Sequence, residues 1–181
     1  MENEIFTANK DIRDVEVSDF AGIDAVVHLA AWPGVRLSQS DPYKYSLANL
    51  TAFSNVLEAV KLSKPKKFLF ASSSSIYGNL GISGPVKEDS ATGLNLKSYY
   101  AATKWANEIL ANQYHKLTGI PTAALRFFTL YGEFGRPDMA YWTFLESILA
   151  GREVTLYGQD GGSRNFTHVS DASKDRKSTR L

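Results

Sequence analysis

The 181-residue chain contains no cysteine. That excludes disulfides, thiolate metal sites and thiol nucleophiles, and it fits a reducing, cytoplasmic setting. Charge of one sign is not in excess either. Twenty lysines and arginines face 19 aspartates and glutamates, a net +1, which gives no electrostatic reason to expect nucleic acid or an acidic membrane as partner. No apolar run approaches the roughly 18 residues of a membrane span, and the N-terminal MENEIFTANK has no signal-peptide core. Internal repeats and low-complexity linkers are also missing. With three histidines in all, no metal site is expected, and His168, in FTHVSD, reads as structural.

What is present is a globular composition, 44% hydrophobic and 22% charged, in a chain long enough for one domain with a real core. Short apolar runs alternate with helical patterns. DAVVHLAA (24–31), KKFLFASS (66–73) and TAALRFF (122–128) read as buried strands, apolar on both faces, as in parallel sheets covered by helices. Asp41-Pro42 opens a helix through Leu47, Leu50, Leu57 and Val60 to Lys61. Ser98 caps a second, with Ala106, Ile109, Leu110 and Leu117 predicted to face inward and Gly119 and Pro121 ending it. A third covers about 139–150, with Trp142, Leu145 and Leu149 on one side. Strands alternating with helices predict βαβ units and a parallel sheet with right-handed crossovers.

The segment SYYAATKW (98–105) carries the chemistry. On a helix, Tyr100 and Lys104 share a face. A free phenol titrates near about 10, and a neighbouring ammonium favours its ionised form. Such a tyrosine can exchange a proton with a substrate hydroxyl. The same spacing also occurs on any exposed helix. The context strengthens the chemical reading, because FLFASSSSIYG (68–78) ends a buried strand in four serines, where ligands bind in open α/β sheets.

Taken together, DIRD (11–14), HLAA (28–31), SSSSIYG (72–78), YAATK (100–104), RFFTLYG (126–132), GRPDMA (135–140) and RNFTHVSD (164–171) resemble, in order, the extended short-chain dehydrogenase/reductases of the NAD-dependent epimerase/dehydratase family. GVR (34–36), RFFTLYG and GRPDMA are particularly similar to its UDP-glucuronate 4-epimerases. The resemblance implies a Rossmann-type α/β fold, a doubly wound parallel sheet, with NAD as cofactor and a nucleotide sugar as substrate. It implies that Tyr100 is the catalytic base, Lys104 its partner and a ligand of the nicotinamide ribose, and Ser73 the hydroxyl that orients the sugar. Ser74 and Ser75 would be further substrate contacts. Asp11 and Ile12 would lie beside the adenine, and Leu29, Ala30 and Ala31 against the cofactor, the two alanines under its phosphate and ribose. Asn49 would approach the cofactor, unless its amide serves only to bond backbone. Arg136, on a loop, would hold a sugar carboxylate with its guanidinium fork, with Arg36 a second candidate for that end and Arg164 for the diphosphate. A homodimer is the family expectation.

The family's glycine-rich strand–turn–helix, which cradles the pyrophosphate, has no counterpart here. The expectation is therefore an internal piece of a longer enzyme, truncated at the N-terminus, with an exposed strand edge, poor cofactor binding by itself and no activity in isolation. Residues 1–134 would form part of the NAD-binding domain and 135–172 the start of a substrate-binding region. The basic tail 173–181 would be non-native or disordered. Two rivals share the family. A 4,6-dehydratase would carry an Asp-Glu pair where Ser74 and Ser75 stand, and a UDP-glucuronate decarboxylase would need an added acid in SSSSIYG. A non-catalytic nucleotide-binding or interaction protein is the rival from another class.

Overall fold

The computed structural model describes residues 8–78, 85–90, 93–156 and 165–174. Arg164 and the tail 175–181 lie outside the described residues. Two compact units divide between Arg126 and Phe127.

In the first unit, strands β1 (Ala25–His28), β2 (Lys67–Ala71) and β3 (Thr122–Leu125) run parallel in the order β1-β2-β3. Val26 stands opposite Phe68, and Phe70 opposite Ala124. This is the parallel α/β sheet that the alternation predicted. Between β1 and β2 the chain forms α1 (Leu37–Ser40), α2 (Pro42–Tyr45), a π-helical segment (Ser46–Thr51) and α3 (Ala52–Ser63). Helix α4 (Tyr99–Thr118) joins β2 to β3. The ends follow their capping chemistry. The Asp41 carboxylate accepts from Lys44 N at 3.1 Å, with Pro42 at the first helical position. Ser98 Oγ accepts from Ala101 N at 3.0 Å, and Gly119, at φ 72°, closes α4 in the left-handed conformation.

Phe53 on α3 is the hub of the core. Its ring meets His28 at 5.4 Å, Phe68 at 6.1 Å and Phe70 at 5.1 Å between centroids. Val56, Leu57 and Val60 of α3, Val26 of β1, Ala111 of α4 and Ile120 just before β3 complete the cluster.

Two readings of the buried faces need correction. On β1 only Val26 and His28 are buried, whereas Val27 is 56% exposed and Leu29 lies bare just beyond the strand. Val26 and Val27 are both apolar, but α3 covers one face only. On α4, Ile109 and Leu117 are exposed, the latter by 77%. The buried stripe is instead Ala101, Thr103, Lys104, Asn107 and Ala111, so this helix turns a largely polar face inward, which an apolar-periodicity argument passes over.

In the second unit β4 (Thr129–Tyr131) and β5 (Phe166–His168) pair in parallel, with helices α5 (Ala140–Leu149) and α6 (Val169–Lys174). Helix α5 occupies the expected span but leaves Leu145 and Leu149 exposed. Its Tyr141 ring instead packs edge-on against Phe166, at 6.4 Å. His168 meets Tyr131 edge-on at 5.2 Å, and its Nδ1 lies 2.7 Å from Ser170 Oγ, which fits a structural role.

Replacing Phe53 with alanine should remove about 3–5 kcal/mol of unfolding free energy, read as a fall in the denaturant midpoint. Leu117→Ala, on the exposed side of α4, should stay within about 0.5 kcal/mol.

Candidate active site

Parallel pairing brings the carboxyl ends of β1 and β2 to one edge of the sheet. There the chain continues as Leu29, Ala30, Ala31 and Trp32 after β1, and as Ser72 and Ser73 after β2. Helix α4 crosses this edge with its first turns. Lys104 is only 2% exposed, and its Nζ donates to the carbonyl of Ala71, the last residue of β2, at 2.7 Å. The same Nζ lies 5.9 Å from the centroid of the Tyr100 ring. Burial pushes the Lys104 ammonium down to about 8, because a charge withdrawn from water is disfavoured. His28, at the end of β1, is pushed down to about 4, first by burial and then by the positive charge of Lys104. At neutral pH the lysine is the cation of the site and the histidine is neutral.

The serines after β2 fold into a 3-10 turn, Ser74–Tyr77, capped by Ser73. Ser73 is buried, and its Oγ accepts from Ser75 N at 3.2 Å and donates to Ser75 Oγ at 3.1 Å. Gly78 ends the turn at φ 60°. A Cβ there would stand 2.6 Å from the Leu94 carbonyl oxygen, so only glycine allows segment 93–95 to close over the serines.

The π-helical segment supplies the third wall. Its extra residue per turn places Asn49, which is 2% exposed, so that Oδ1 accepts from Trp32 N at 2.8 Å while Nδ2 donates to Trp32 O at 3.0 Å and to Thr103 Oγ1 at 3.2 Å. Asn49 therefore bonds backbone, the second of its two expected roles, and ties the loop after β1 to α4. One turn earlier Tyr45 donates to the carbonyls of Pro33 and Gly34 at 2.6 and 3.0 Å and meets the Tyr100 ring edge-on at 6.4 Å. Ser46 Oγ lies 2.6 Å from Tyr99 Oη.

The remaining candidates are distributed as follows. Ser74 and Ser75 are half-buried in the serine turn, Ala30 is exposed and Ala31 half-buried. Arg36 precedes α1 on the exposed loop after Gly34. Asp11 caps a 3-10 turn, Ile12–Asp14, and forks onto Arg13 at 3.0 and 2.8 Å. Asn55 of α3 holds that turn through the carbonyls of Ile12, Arg13 and Val15. Arg136 belongs to the second unit, where it pairs with the Asp138 carboxylate through Nε at 2.9 Å and through Nη2. Arg164 is not among the described residues.

Sequence reasoning missed Glu108 and Arg126. Glu108 lies one further turn along the Tyr100–Lys104 face, and Arg126 immediately follows β3. Their bidentate ion pair, Nε–Oε1 at 3.0 Å and Nη2–Oε2 at 2.8 Å, is largely buried. The repeated four-residue spacing Tyr100–Lys104–Glu108 was the available signal.

Comparison with known proteins agrees with this geometry. The sequence signature of Epimerase, the NAD dependent epimerase/dehydratase family, matches residues 4–174. The chain is 41% identical over 155 residues to a probable UDP-glucuronate 4-epimerase of Rhizobium meliloti (strain 1021), which covers 85% of this chain and 45% of that relative. It is 38% identical over 179 residues to UDP-glucuronate 4-epimerase 6 of Arabidopsis thaliana, covering 94% of this chain and 38% of the relative. The chain thus spans less than half the length of these curated relatives. A crystal structure of UDP-glucuronic acid 4-epimerase from Bacillus cereus, in complex with UDP-glucuronic acid and NAD, superposes with a TM-score of 0.83 at 39% identity, over 90% of this chain and 51% of that one.

Two buried groups, His28 and Lys104, each contribute to the pH dependence of stability. The unfolded chain takes up a proton at His28 near its ordinary 6.5, whereas the folded chain does so only near 4, so stability should fall as pH drops from 6.5 to 4. At Lys104 the unfolded chain keeps its proton up to 10.5 and the folded chain releases it near 8. The folded state is therefore penalised below 8, and stability should rise between 8 and 10.5. Each limb is of the order of 3 kcal/mol. In chemical denaturation across pH, His28→Phe should remove the acid limb and Lys104→Met the alkaline one.

Proposed function

Because the chain belongs to the NAD dependent epimerase/dehydratase family, we propose that it serves an NAD-dependent nucleotide-sugar 4-epimerase interconverting UDP-glucuronate and UDP-galacturonate. The observation that carries this reading is the buried Lys104 ammonium, bonded to the last carbonyl of β2 and one turn from Tyr100. Burial alone disfavours a cation in that position, and beyond tying α4 to β2 it places a positive charge beside Tyr100.

The residues fit the cofactor. The methyl side chains of Ala30 and Ala31 leave the backbone past β1 open to close approach, and the Lys104 cation stands at the same end of the sheet. Leu29, Ala30, Ala31 and Lys104 would hold NAD there, with Asp11 and Ile12 toward the adenine and Asn49 fixing the loop. NAD supplies the reversible hydride acceptor that inversion through a 4-keto sugar requires. Tyr100 exchanges the proton of the sugar 4-hydroxyl, and Lys104 provides the positive charge that the phenolate faces. Ser73, held by its own turn, orients that hydroxyl, and Ser74 and Ser75 line the sugar. Neither of the last two carries a carboxyl group, which disfavours a 4,6-dehydratase.

Arg136 takes the uronate carboxylate, with Arg36 and Arg164 as further groups for the substrate. Its guanidinium already engages a carboxylate in two-pronged fashion, that of Asp138, the same fork a uronate would occupy. The same proposal assigns 1–134 to cofactor binding and 135–172 to substrate binding, in a cytoplasmic enzyme that forms a homodimer. No described helix is long and apolar enough to cross a membrane.

The test, in the full-length enzyme that contains this chain, is the formation of UDP-galacturonate from UDP-glucuronate with NAD. Tyr100→Phe should lower kcat by about 10²–10⁴-fold while NAD binding changes little, and unchanged turnover would remove Tyr100 from the mechanism. UDP-glucuronate should be preferred over UDP-glucose, and Arg136→Ala should reduce kcat/KM selectively for the uronate, by roughly ten- to a hundredfold. A parent enzyme that prefers UDP-glucose overturns the uronate assignment.

A further inference from the structure

The serine turn is held from both sides by a buried ion pair that no step of the chemistry above uses. Glu108 lies one turn beyond Lys104 on α4, on the same face. Lys104 bonds the carbonyl of Ala71, and Glu108 Oε1 accepts from the hydroxyl of the next residue, Ser72, at 2.5 Å. Two successive turns of α4 are thus fastened to two successive residues at the end of β2. Arg126 closes the arrangement from β3. Its Nε and Nη2 fork the Glu108 carboxylate, while Nη1 donates to Tyr77 Oη at 3.2 Å and to the Glu88 carbonyl at 2.7 Å. The guanidinium also lies 5.2 Å from the centroid of the Tyr77 ring. Ser72 and Tyr77 immediately flank the stretch Ser73–Ile76, so the pair grips the turn at its entrance and at its exit. The side chains of Glu108 and Arg126 are 10% and 18% exposed.

We propose that Glu108 and Arg126 are positioning residues that set where the Ser73 hydroxyl stands relative to Tyr100 and Lys104. The proposal rests on the reading of Ser73 as the hydroxyl that orients the sugar. Three observations support it. A buried ion pair is poor material for stability, since desolvation offsets its attraction, but it fixes one geometry. The geometry here needs arginine, because one planar fork serves a carboxylate, a phenol and a carbonyl at once, which an ammonium cannot do. And Ser73 bonds only within its own turn among the hydrogen bonds described for its hydroxyl, so its placement follows that of the turn as a whole.

The experiment uses the full-length enzyme that contains this chain, with two variants. Arg126→Lys keeps the charge and loses the fork. Tyr77→Phe removes one hydrogen bond, keeps the ring under the guanidinium and remains informative if the first variant does not fold. Amide hydrogen exchange is read at Ile76 and Gly78, whose N–H groups bond Ser73 O and Ser75 O at 3.2 Å, with Leu110 and Ala111 of α4 as the reference. Each folded variant should exchange about tenfold faster in the turn, with α4 unchanged. With UDP-glucuronate and NAD, kcat should fall about tenfold while KM stays within about twofold, the signature of lost alignment rather than lost binding. Exchange that rises equally in α4, a turn that does not loosen, or a loosened turn with kcat unchanged overturns the proposal. If the unmutated full-length enzyme turns over no UDP-sugar, the functional reading fails, and hydrogen exchange alone decides the positioning role.

Discussion

The first unit is organised around a charge kept out of water. An ammonium that is 2% exposed needs an acceptor in fixed position, and a backbone carbonyl at the end of a strand is one that cannot turn away. The bond from Lys104 to Ala71 therefore sets the height of α4 against the sheet. The neighbouring contacts follow from that height: Glu108 reaches Ser72, Thr103 reaches Asn49, and the Tyr100 ring meets Tyr45. Neutral His28 belongs to the same economy, since a second cation beside Lys104 would be repelled and desolvated together.

Rigidity is concentrated where the chemistry is proposed to occur. The loop after β1 is held by amide and phenol groups from the π-helical segment and α2. The serine turn is held through Ser72 and Tyr77. Tyr100 and Lys104 lie on helix α4 itself, while the loops after β1 and β2 are fixed against that helix by neighbouring elements.

Much of this was legible in the sequence, for identifiable reasons. Helix ends were marked by groups whose capping bonds are local, as at Asp41, Ser98 and Gly119. The parallel strands showed as short apolar runs. The Tyr100–Lys104 spacing is local and so could be read from sequence, whereas Ser73 was singled out only through the family resemblance. What could not be read is what depends on tertiary partners. Val27 and Leu29 look like core and are exposed, because burial depends on what covers a face and not on the residue. Helix α4 buries a lysine, a threonine and an asparagine, against every compositional rule, because its inward face meets the polar ends of strands. The ion pair joins residues 18 positions apart in sequence, across a helix and a strand, a separation that no local spacing rule covers.

The π-helical segment Ser46–Thr51 lies inside one continuous run of helix from Pro42 to Ser63. Such a segment holds one residue more per turn than a regular α-helix. Deleting that residue would restore regular helix and rotate everything before it by about 100° relative to α3. Tyr45 and Ser46 would swing off Tyr100 and Tyr99, while Phe53 stayed in the core. The segment therefore separates two constraints on one continuous helix, and allows the half facing the site to change register without disturbing the half that holds the fold together.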